Sequence, residues 1–465
     1  MKILAITLAI MPALTGCLPK GDRSPSPDRS PPKSWSTPTS VSIDANVTYW
    51  TKGFGDANLT ALVREAWANS PDLSGTFRMV EMAREQAVMA GADRLPQAGL
   101  GISGTRSKRN LVGFLPGNNN SFTSENYGLN MNVSWELDLW GKLSDSRKVA
   151  ETSWEASVED YRAARLSLAG QVAKAWYSAI AGRRQVELAY ETEQSHAKNA
   201  SYIATRFERG LANALDHNLA QATLASTRAN QVRKKRQLDL ATRTLQTLLG
   251  RHPDGNATFP PDLPEPQRAP PISPPAQTLE QRPDLRAKRL RMKAAGLEKT
   301  IARKNLLPSL SLTGGPGSRS QEFNDLLDQQ FQIWSVTGNL MQPIFQGGRL
   351  RANVRRTEAV RLAVMDSYKA AALNAFREVE TTLAAESLLK EEEIRLKEAV
   401  KAASTAADLS WERYQRGLEG IFATLESRRR AFEAESRLLS LRRERLLNRI
   451  DLHLALGDEA LPDNP

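Results

Sequence analysis

Between Gly141 and His252, and again between Ile344 and Leu461, the chain contains no proline. Both stretches are rich in Ala, Leu, Glu, Lys, Gln and Arg, which favour helix, so they predict helices far longer than those of globular domains. From Asp145 to Arg209 there are 65 residues, and at about 1.5 Å per residue these make a rod of about 100 Å. Gly210 then breaks the helix before a second long run, so each stretch predicts a helical hairpin. Trp154, Val158, Tyr161, Leu168, Val172 and Ala175 follow steps of four and three with Arg165 in one slot, and Leu425, Phe432, Leu439 and Leu446 recur every seven. That is coiled-coil spacing. Hydrophobic residues make up only 40% of the 465, which argues against a polytopic helical membrane protein. The single cysteine excludes an intrachain disulfide and a thiolate zinc cluster. Histidines stand only at 196, 217, 252 and 453, too scattered for a metal enzyme, so no metal, no cofactor and no catalytic residue is expected.

The chain is internally duplicated. Ser70-Pro71-Asp72-Leu73 is matched by Arg282-Pro283-Asp284-Leu285, and Leu95-Pro96 by Leu307-Pro308. Arg206-Phe207-Glu208-Arg209-Gly210-Leu211 is matched by Arg413-Tyr414-Gln415-Arg416-Gly417-Leu418, and Leu249-Gly250 by Leu456-Gly457. Between the halves, Pro253 to Pro275 holds nine prolines in 23 residues, which cannot be helix or central strand and reads as a linker.

Ahead of each helical hairpin the period changes. Leu129, Met131, Val133, Trp135, Leu137 and Leu139 alternate with Asn130, Asn132, Ser134, Glu136 and Asp138, a strand with one apolar and one polar face. Ala98 to Thr105, Ser309 to Gly315 and parts of Phe331 to Phe345 echo it, with turns near Asn118 to Asn120 and Asn324 to Gln330. Each half therefore carries a β-hairpin, and Tyr127, Trp140, Trp334 and Phe345 stand near strand ends, as an interfacial girdle requires. If the strand faces a pore, Glu136 and Asp138 line it as acids. A membrane barrel must close its edges and a single bacterial chain needs at least about eight strands to do so. Two hairpins supply four, so several copies are needed. Three would give twelve strands and twelve long helices.

Met1-Lys2, an apolar run from Ile3 to Ala13 and Leu14-Thr15-Gly16-Cys17 have the form of an export signal. The ending resembles the bacterial lipoprotein cleavage box, which implies that residues 1–16 are removed and Cys17 is acylated. Leu18, where Asp would favour the inner membrane, points to the outer one. Residues 17–48, with six prolines from Pro19 to Pro38, read as a stiff spacer. The first repeat then covers 49–252, with short helices, a β-hairpin at about 96–139 and a helical hairpin at about 145–250. The linker is 253–275, and the second repeat covers 276–457, with a helix, a β-hairpin at about 308–345 and a helical hairpin at about 349–456. Residues 458–465 form a tail.

Tyr49-Trp50, Phe54-Gly55-Asp56, Leu59, Leu62-Val63, Asn69 to Leu73 and Trp135-Glu136-Leu137-Asp138-Leu139-Trp140-Gly141-Lys142 together resemble the TolC-like outer-membrane factors of tripartite efflux systems. Gln281 to Leu285, Leu307-Pro308-Ser309-Leu310 and Gln342-Pro343-Ile344-Phe345-Gln346-Gly347-Gly348-Arg349-Leu350 are similar to the lipoprotein branch of that family, NodT- and OprM-like. The resemblance implies a mainly α fold with a transmembrane β part: a homotrimer whose 12-stranded β-barrel in outer-membrane lipid of a Gram-negative bacterium continues as a 12-helix periplasmic α-barrel. It implies a passive duct for small molecules, docked to a periplasmic adaptor and an inner-membrane efflux pump of RND type, with no nucleic acid and no enzyme activity. It further implies that the tip turns Arg209-Gly210-Leu211 and Arg416-Gly417-Leu418 meet the adaptor. Tyr414 and Asp216 match a hydrogen-bonded gate link, and Glu426 retains one acid of a tip ring, while Ala423 stands where a second acid often lies and Glu419 where some members are basic.

Other motifs carry less. Gly99-Leu100-Gly101-Ile102-Ser103-Gly104 fits a dinucleotide fingerprint but lies in a strand. Arg233-Lys234-Lys235-Arg236 and Arg428-Arg429-Arg430 read as solvated helix faces, and His217 beside Asp216 has no second ligand at helical spacing. Two alternatives to an export duct stay open here: a periplasmic coiled-coil adaptor or scaffold lipoprotein without a pore, and, more distantly, an exported hydrolase.

Overall fold

A computed structural model describes residues 32, 34–36, 49–111, 120–265 and 274–459. Cys17, most of the proline-rich spacer, the first strand turn near Asn118, part of the linker and the tail after residue 459 lie outside the described residues. After a 3-10 turn at Trp50–Phe54 come α1 (Ala57–Asn69), α2 (Pro71–Ala92), β1 (Gln97–Leu111), β2 (Asn120–Leu137), α3 (Lys142–Glu208) and α4 (Ala214–Leu248). The second repeat gives α5 (Pro275–Gln281), α6 (Pro283–Lys304), β3 (Ser309–Ser320), β4 (Gln332–Met341), α7 (Arg349–Gln415) and α8 (Ile421–Leu456). The long helices α3 and α7 have 67 residues each. Their partners α4 and α8 have 35 and 36, about half as many, so α3 is flanked by α4 along one half and by α2 and α6 along the other. Among the described residues no helix is long and apolar enough to cross a membrane.

The strands form one antiparallel sheet in the order β1-β2-β3-β4, so the two repeats join through β2 and β3. β2 starts well before the alternating stretch and stops at Leu137, not Leu139. The alternation marks only the part of the strand with one apolar side; beyond it both faces are polar and pairing with β1 alone extends the strand. At the other end Asp138 leaves the ladder to cap α3. The ladder between β2 and β3 is interrupted beside Pro316, which has no N–H to donate. Gly315 there has φ 156, and a Cβ on it would lie 1.8 Å from the Met131 carbonyl, so the close approach requires glycine.

The duplicated punctuation builds one joint per repeat. Ser70 caps α2 by accepting from the Leu73 N–H at 3.3 Å, Pro71 occupies the first turn, and Leu73 is buried. In the second joint Arg282 replaces the serine. Its guanidinium binds Asp284 at 3.0 Å, Glu378 at 2.7 Å and the Ala455 carbonyl at 3.1 Å, and Leu285 is fully buried. Against each start lies the end of the repeat's last helix: Gly250 beside Asn69 and Gly457 beside Arg282, both with positive φ. A Cβ on Gly250 would stand 2.6 Å from the Asn69 carbonyl oxygen.

The main core surrounds the first joint. Trp50, Phe54, Leu59, Val63 and Ala66 pack on Trp176, Tyr177 and Ile180 of α3, with Leu249, Leu446 and Ile450. Asp56 caps α1 through the Asn58 N–H at 3.0 Å and also accepts from Trp176 Nε1 at 2.7 Å, which gives the Phe54-Gly55-Asp56 signature a structural job.

Gly250→Ala and Gly210→Ala separate the two demands on these glycines. Both have φ 71, but nothing lies within 4 Å of a Cβ at Gly210, so that change costs only the left-handed backbone, about 1 kcal/mol. Gly250→Ala adds a backbone collision and is expected to cost about 3 kcal/mol. Calorimetric melting of the purified protein should show a clearly larger drop for Gly250→Ala; equal drops would refute the joint.

Candidate functional site: membrane sheet, junction and helix tips

In an antiparallel ladder directly paired residues share a face. Ala98, Leu100 and Ile102 pair with Val133, Met131 and Leu129. Trp135 and Leu137 pair with Leu312 and Leu310. Leu310, Gly314 and Pro316 pair in turn with Leu340, Val336 and Trp334. One side of all four strands is thus continuously apolar, and it is bare in the single chain: Leu100 is 75% exposed, Val336 73% and Trp334 81%. The opposite side carries Gly99, Gly101, Asn130, Asn132, Ser134, Ser311, Thr313, Thr337 and Asn339, small and polar, so the glycine-rich motif lies in β1 and opens no helix. Along β2, Tyr127 and Trp135 stand on the apolar side about 26 Å apart, close to the ~25 Å outward band of outer-membrane barrels. Tyr127 stacks edge-on against Phe323 with centroids 5.8 Å apart. Trp140 lies outside the strands, its Nε1 donating to the Pro308 carbonyl, and Phe345 follows β4 and is exposed.

Beneath the sheet, Glu136 and Asp138 are each held by partners in the same chain. Glu136 pairs with Lys142 at 2.5 Å. Asp138 accepts from the N–H groups of Leu143 and Ser144, at 2.9 and 2.7 Å, and from Ser144 Oγ at 2.6 Å. Gly141 at the α3 start has no side chain to offer, so the orphan amides draw the carboxylate out of the strand. Burial pushes the Asp138 carboxyl up, but the Ser144 and Leu143 hydrogen bonds outweigh it and hold the group below the usual carboxylate range. Lys304 at the end of α6 reaches Asp145 at 2.6 Å and the Gly141 carbonyl at 3.1 Å. Glu358 of α7 is clamped by Arg361 and Lys299, both at 2.9 Å, and these bonds pull it down to about 2. The sequence signalled Asp138 but not Lys304, Asp145 or Glu358, whose partners are remote in the chain.

At the far ends, both tip turns share one geometry. Gly210 and Gly417 are left-handed; the Leu211 N–H donates to the Arg206 carbonyl at 2.7 Å, and the Leu418 N–H to the Arg413 carbonyl at 2.9 Å. Arg209 and Arg416 close the long helices, and Leu211 and Leu418 are each 62% exposed. Tyr414 is buried among Ile203, Ala220, Leu224, Ile421 and Leu425. Trp411 stacks on it at 5.7 Å, and the Arg206 guanidinium sits 5.8 Å from its ring. Asp216, in the first turn of α4, comes near enough that burial and its charge together raise the Tyr414 phenol, Arg206 opposing. No hydrogen bond joins the two among the described residues: Tyr414 is held by packing, and the Asp216 N–H is occupied by Asn213 Oδ1 at 2.8 Å. Glu426 is held by Arg429 at 2.8 Å and Arg430 at 2.7 Å, which pull it down to about 2. Glu419 pairs with Arg413 at 3.5 Å and Arg428 with Asp408 at 3.2 Å, so the second basic run is ion-paired, not simply solvated. His217 stacks on Phe207 at 5.1 Å, and the described residues contain no cluster able to hold a metal. Tyr202, Arg206 and Trp411 escaped the sequence reading, although Arg206 heads the repeated tip motif.

A sheet with one bare apolar face, set on paired rods that end in matched turns, defines the class of outer-membrane conduit proteins. The profile of the outer membrane efflux protein family matches residues 62–251 and 275–458, and the chain belongs to that family. It is 32% identical over 413 residues to the outer membrane protein OprJ of Pseudomonas aeruginosa, covering 88% of this chain and 85% of the relative. It is 28% identical over 467 residues to the probable outer membrane lipoprotein SilC of Salmonella typhimurium, covering 98% of each. A crystal structure of a membrane protein from Pseudomonas aeruginosa superposes with a TM-score of 0.85 at 31% identity, over 94% of this chain and 99% of that one. The chain is thus an outer-membrane efflux channel component with the TolC-like fold.

The junction carboxylates carry a pH signature. Asp138 and Glu358 titrate lower in the folded protein than in the unfolded chain. Their contribution is therefore complete above the ordinary carboxylate range and is lost as pH falls through their depressed values. Protection factors of the Leu143 and Ser144 amides, taken relative to the intrinsic exchange rate at each pH, should stay high at pH 5 and fall towards pH 2. In Asp138→Ala those amides should exchange faster already at pH 7, with about 1 kcal/mol less protection.

Proposed function

We propose that three copies of the chain close β4 of one onto β1 of the next, giving a 12-stranded barrel in the outer membrane and a 12-helix tunnel in the periplasm. The observation that carries this is the continuous apolar face on a sheet whose two outer edges have no partner among the described residues, because lipid offers none to a bare backbone. The assembly is a passive duct for small molecules. It receives cargo at the helix tips from a periplasmic adaptor and an inner-membrane pump of RND type, contacted through Arg209, Gly210, Leu211, Arg416, Gly417 and Leu418. Residues 1–16 serve as the export signal and Cys17 as the acylated anchor, a reading supported by the lipoprotein relative. Residues 17–48 are the spacer, 49–252 and 276–457 the repeats, 253–275 the linker and 458–465 the tail. The protein conducts and does not turn over a substrate.

Asp216, Tyr414 and Glu426 form the resting closure. Packing around Tyr414 holds α7 and α8 against α3 and α4, the Asp216 charge faces its phenol, and Glu426 is pinned by arginines of its own helix. The test is single-channel conductance in planar bilayers. Wild type should open small and rarely. Tyr414→Ala, which empties the cluster, should lengthen openings at least about tenfold, the factor set by ~1.4 kcal/mol, whereas Asp216→Ala, which leaves the packing in place, should lengthen them less. Tyr414→Phe, which keeps the packing, should resemble wild type. Long openings in Tyr414→Phe would return the closure to the phenol; unchanged openings in all variants would refute the tip closure, and a folded protein that never conducts would refute the duct.

A further inference from the structure

Midway along the rods, two cations converge with no carboxylate between them. Ser178, Ala181, Gly182 and Gln185 give α3 a face of short side chains, and α4 and α8 rise on either side to leave a groove of about 360 Å³. Lys234 enters from α4 and Arg443 from α8. The floor is fixed, because Gln185 Nε2 donates to the Ser436 carbonyl and Gln185 Oε1 accepts from Ser436 Oγ, both at 2.8 Å. Other arginines of this part of α8 are ion-paired: Arg442 and Arg445 to Glu393, and Arg449 to Glu386. Neither Lys234 nor Arg443 has an ion pair or hydrogen bond among the described residues, and Arg443 Nε is shielded from solvent without a partner. Burial and the nearby charges of Arg233 and Arg443 pull the Lys234 ammonium below its usual value. Crowded like charges in a half-dry groove are unfavourable until an anion enters.

The position of the groove matters as much as its charge. α1 and its neighbours cover α3 at Ala173, Trp176 and Ile180, and at about 100° per residue Ser178 and Gln185 lie on the opposite side of the helix. The covered side also carries Phe259, whose ring lies 5.6 Å from that of Trp176, so the groove opens away from it. On the trimeric reading above, that is the tunnel interior.

We propose that Lys234 and Arg443, facing each other over the short-side-chain face of α3, bind the carboxylate of a small organic anion, making a station for anionic solutes inside the conduit. Binding rests on the groove alone; passage of the bound solute rests also on the duct reading. Equilibrium dialysis of radiolabelled benzoate against the full-length purified protein tests the first part. Wild type should bind saturably. Lys234→Gln and Arg443→Gln, at unchanged melting temperature, should bind at least about tenfold more weakly, and Lys234→Arg should stay within about threefold of wild type. Equal binding by wild type and the glutamine variants, or no saturable binding by wild type, overturns the site. Sulfate should compete only at much higher concentration than benzoate; equal competition would overturn the organic preference in favour of free inorganic oxyanions. Reversal potentials in a salt gradient test the second part, with a shift towards cations expected in both glutamine variants. Unchanged potentials in conducting channels would remove the station from the permeation path, whereas benzoate binding to a protein that never conducts would sink the duct and leave the site standing.

Discussion

A backbone edge cannot be left facing hydrocarbon, and the sheet of the described residues presents two. The strand order β1-β2-β3-β4 leaves the donors and acceptors of β1 and β4 open on their outer sides, while their side chains present a lipid-like face on one side and a polar one on the other. No rearrangement inside one chain removes both edges, because four twisted strands are too few to close on themselves. The trimer proposed above answers that shortage of strands by repeating the unit about an axis.

The second dependence lies at the joints where short helices begin and long hairpins end. A buried leucine after Pro-Asp, a left-handed glycine and a nearby helix start recur in both halves, yet the polar chemistry differs: a serine cap in one, and an arginine bound to two carboxylates and a carbonyl in the other. Equivalent shape has been kept while charge has been concentrated in the second joint. The same division appears in the ion pairs of α6. Arg291 pairs with Asp160 and Lys304 with Asp145 on α3, whereas Lys299 pairs with Glu358 on α7. This helix therefore joins the two rods by charge pairs as well as by the packing of Leu285, Ala287, Ala294, Ala295 and Ala302.

Much of this fold is legible in the sequence. Proline-free stretches announced the rods, alternation announced β2, and repeated Arg-Gly-Leu announced the tips, because each signal is local and periodic. The limits are equally physical. Asp138 reads as one more polar residue of the strand, and only the amides of a helix that begins with glycine explain why its carboxylate turns away. The Tyr414–Asp216 link is implied only by resemblance; Trp411 precedes Tyr414 by one turn of α7, whereas Tyr202 and Arg206 reach it from the facing α3, a contact that no periodicity in the sequence marks. Lys234 was hidden in a run of four basic residues, and what separates it from Lys235 is which side of α4 meets α3.

The rods also set a mechanical scale. From Trp176, where α3 is gripped by the main core, to its end at Glu208 is a stiff arm of about 48 Å. A rotation of about 5° at the grip therefore displaces the tip by about 4 Å, roughly the width of one side chain. The joint needs to yield very little to move the far end: the length of the helix converts a sub-ångström rearrangement around Trp50 and Trp176 into a displacement of several ångströms at the Arg209-Gly210-Leu211 turn.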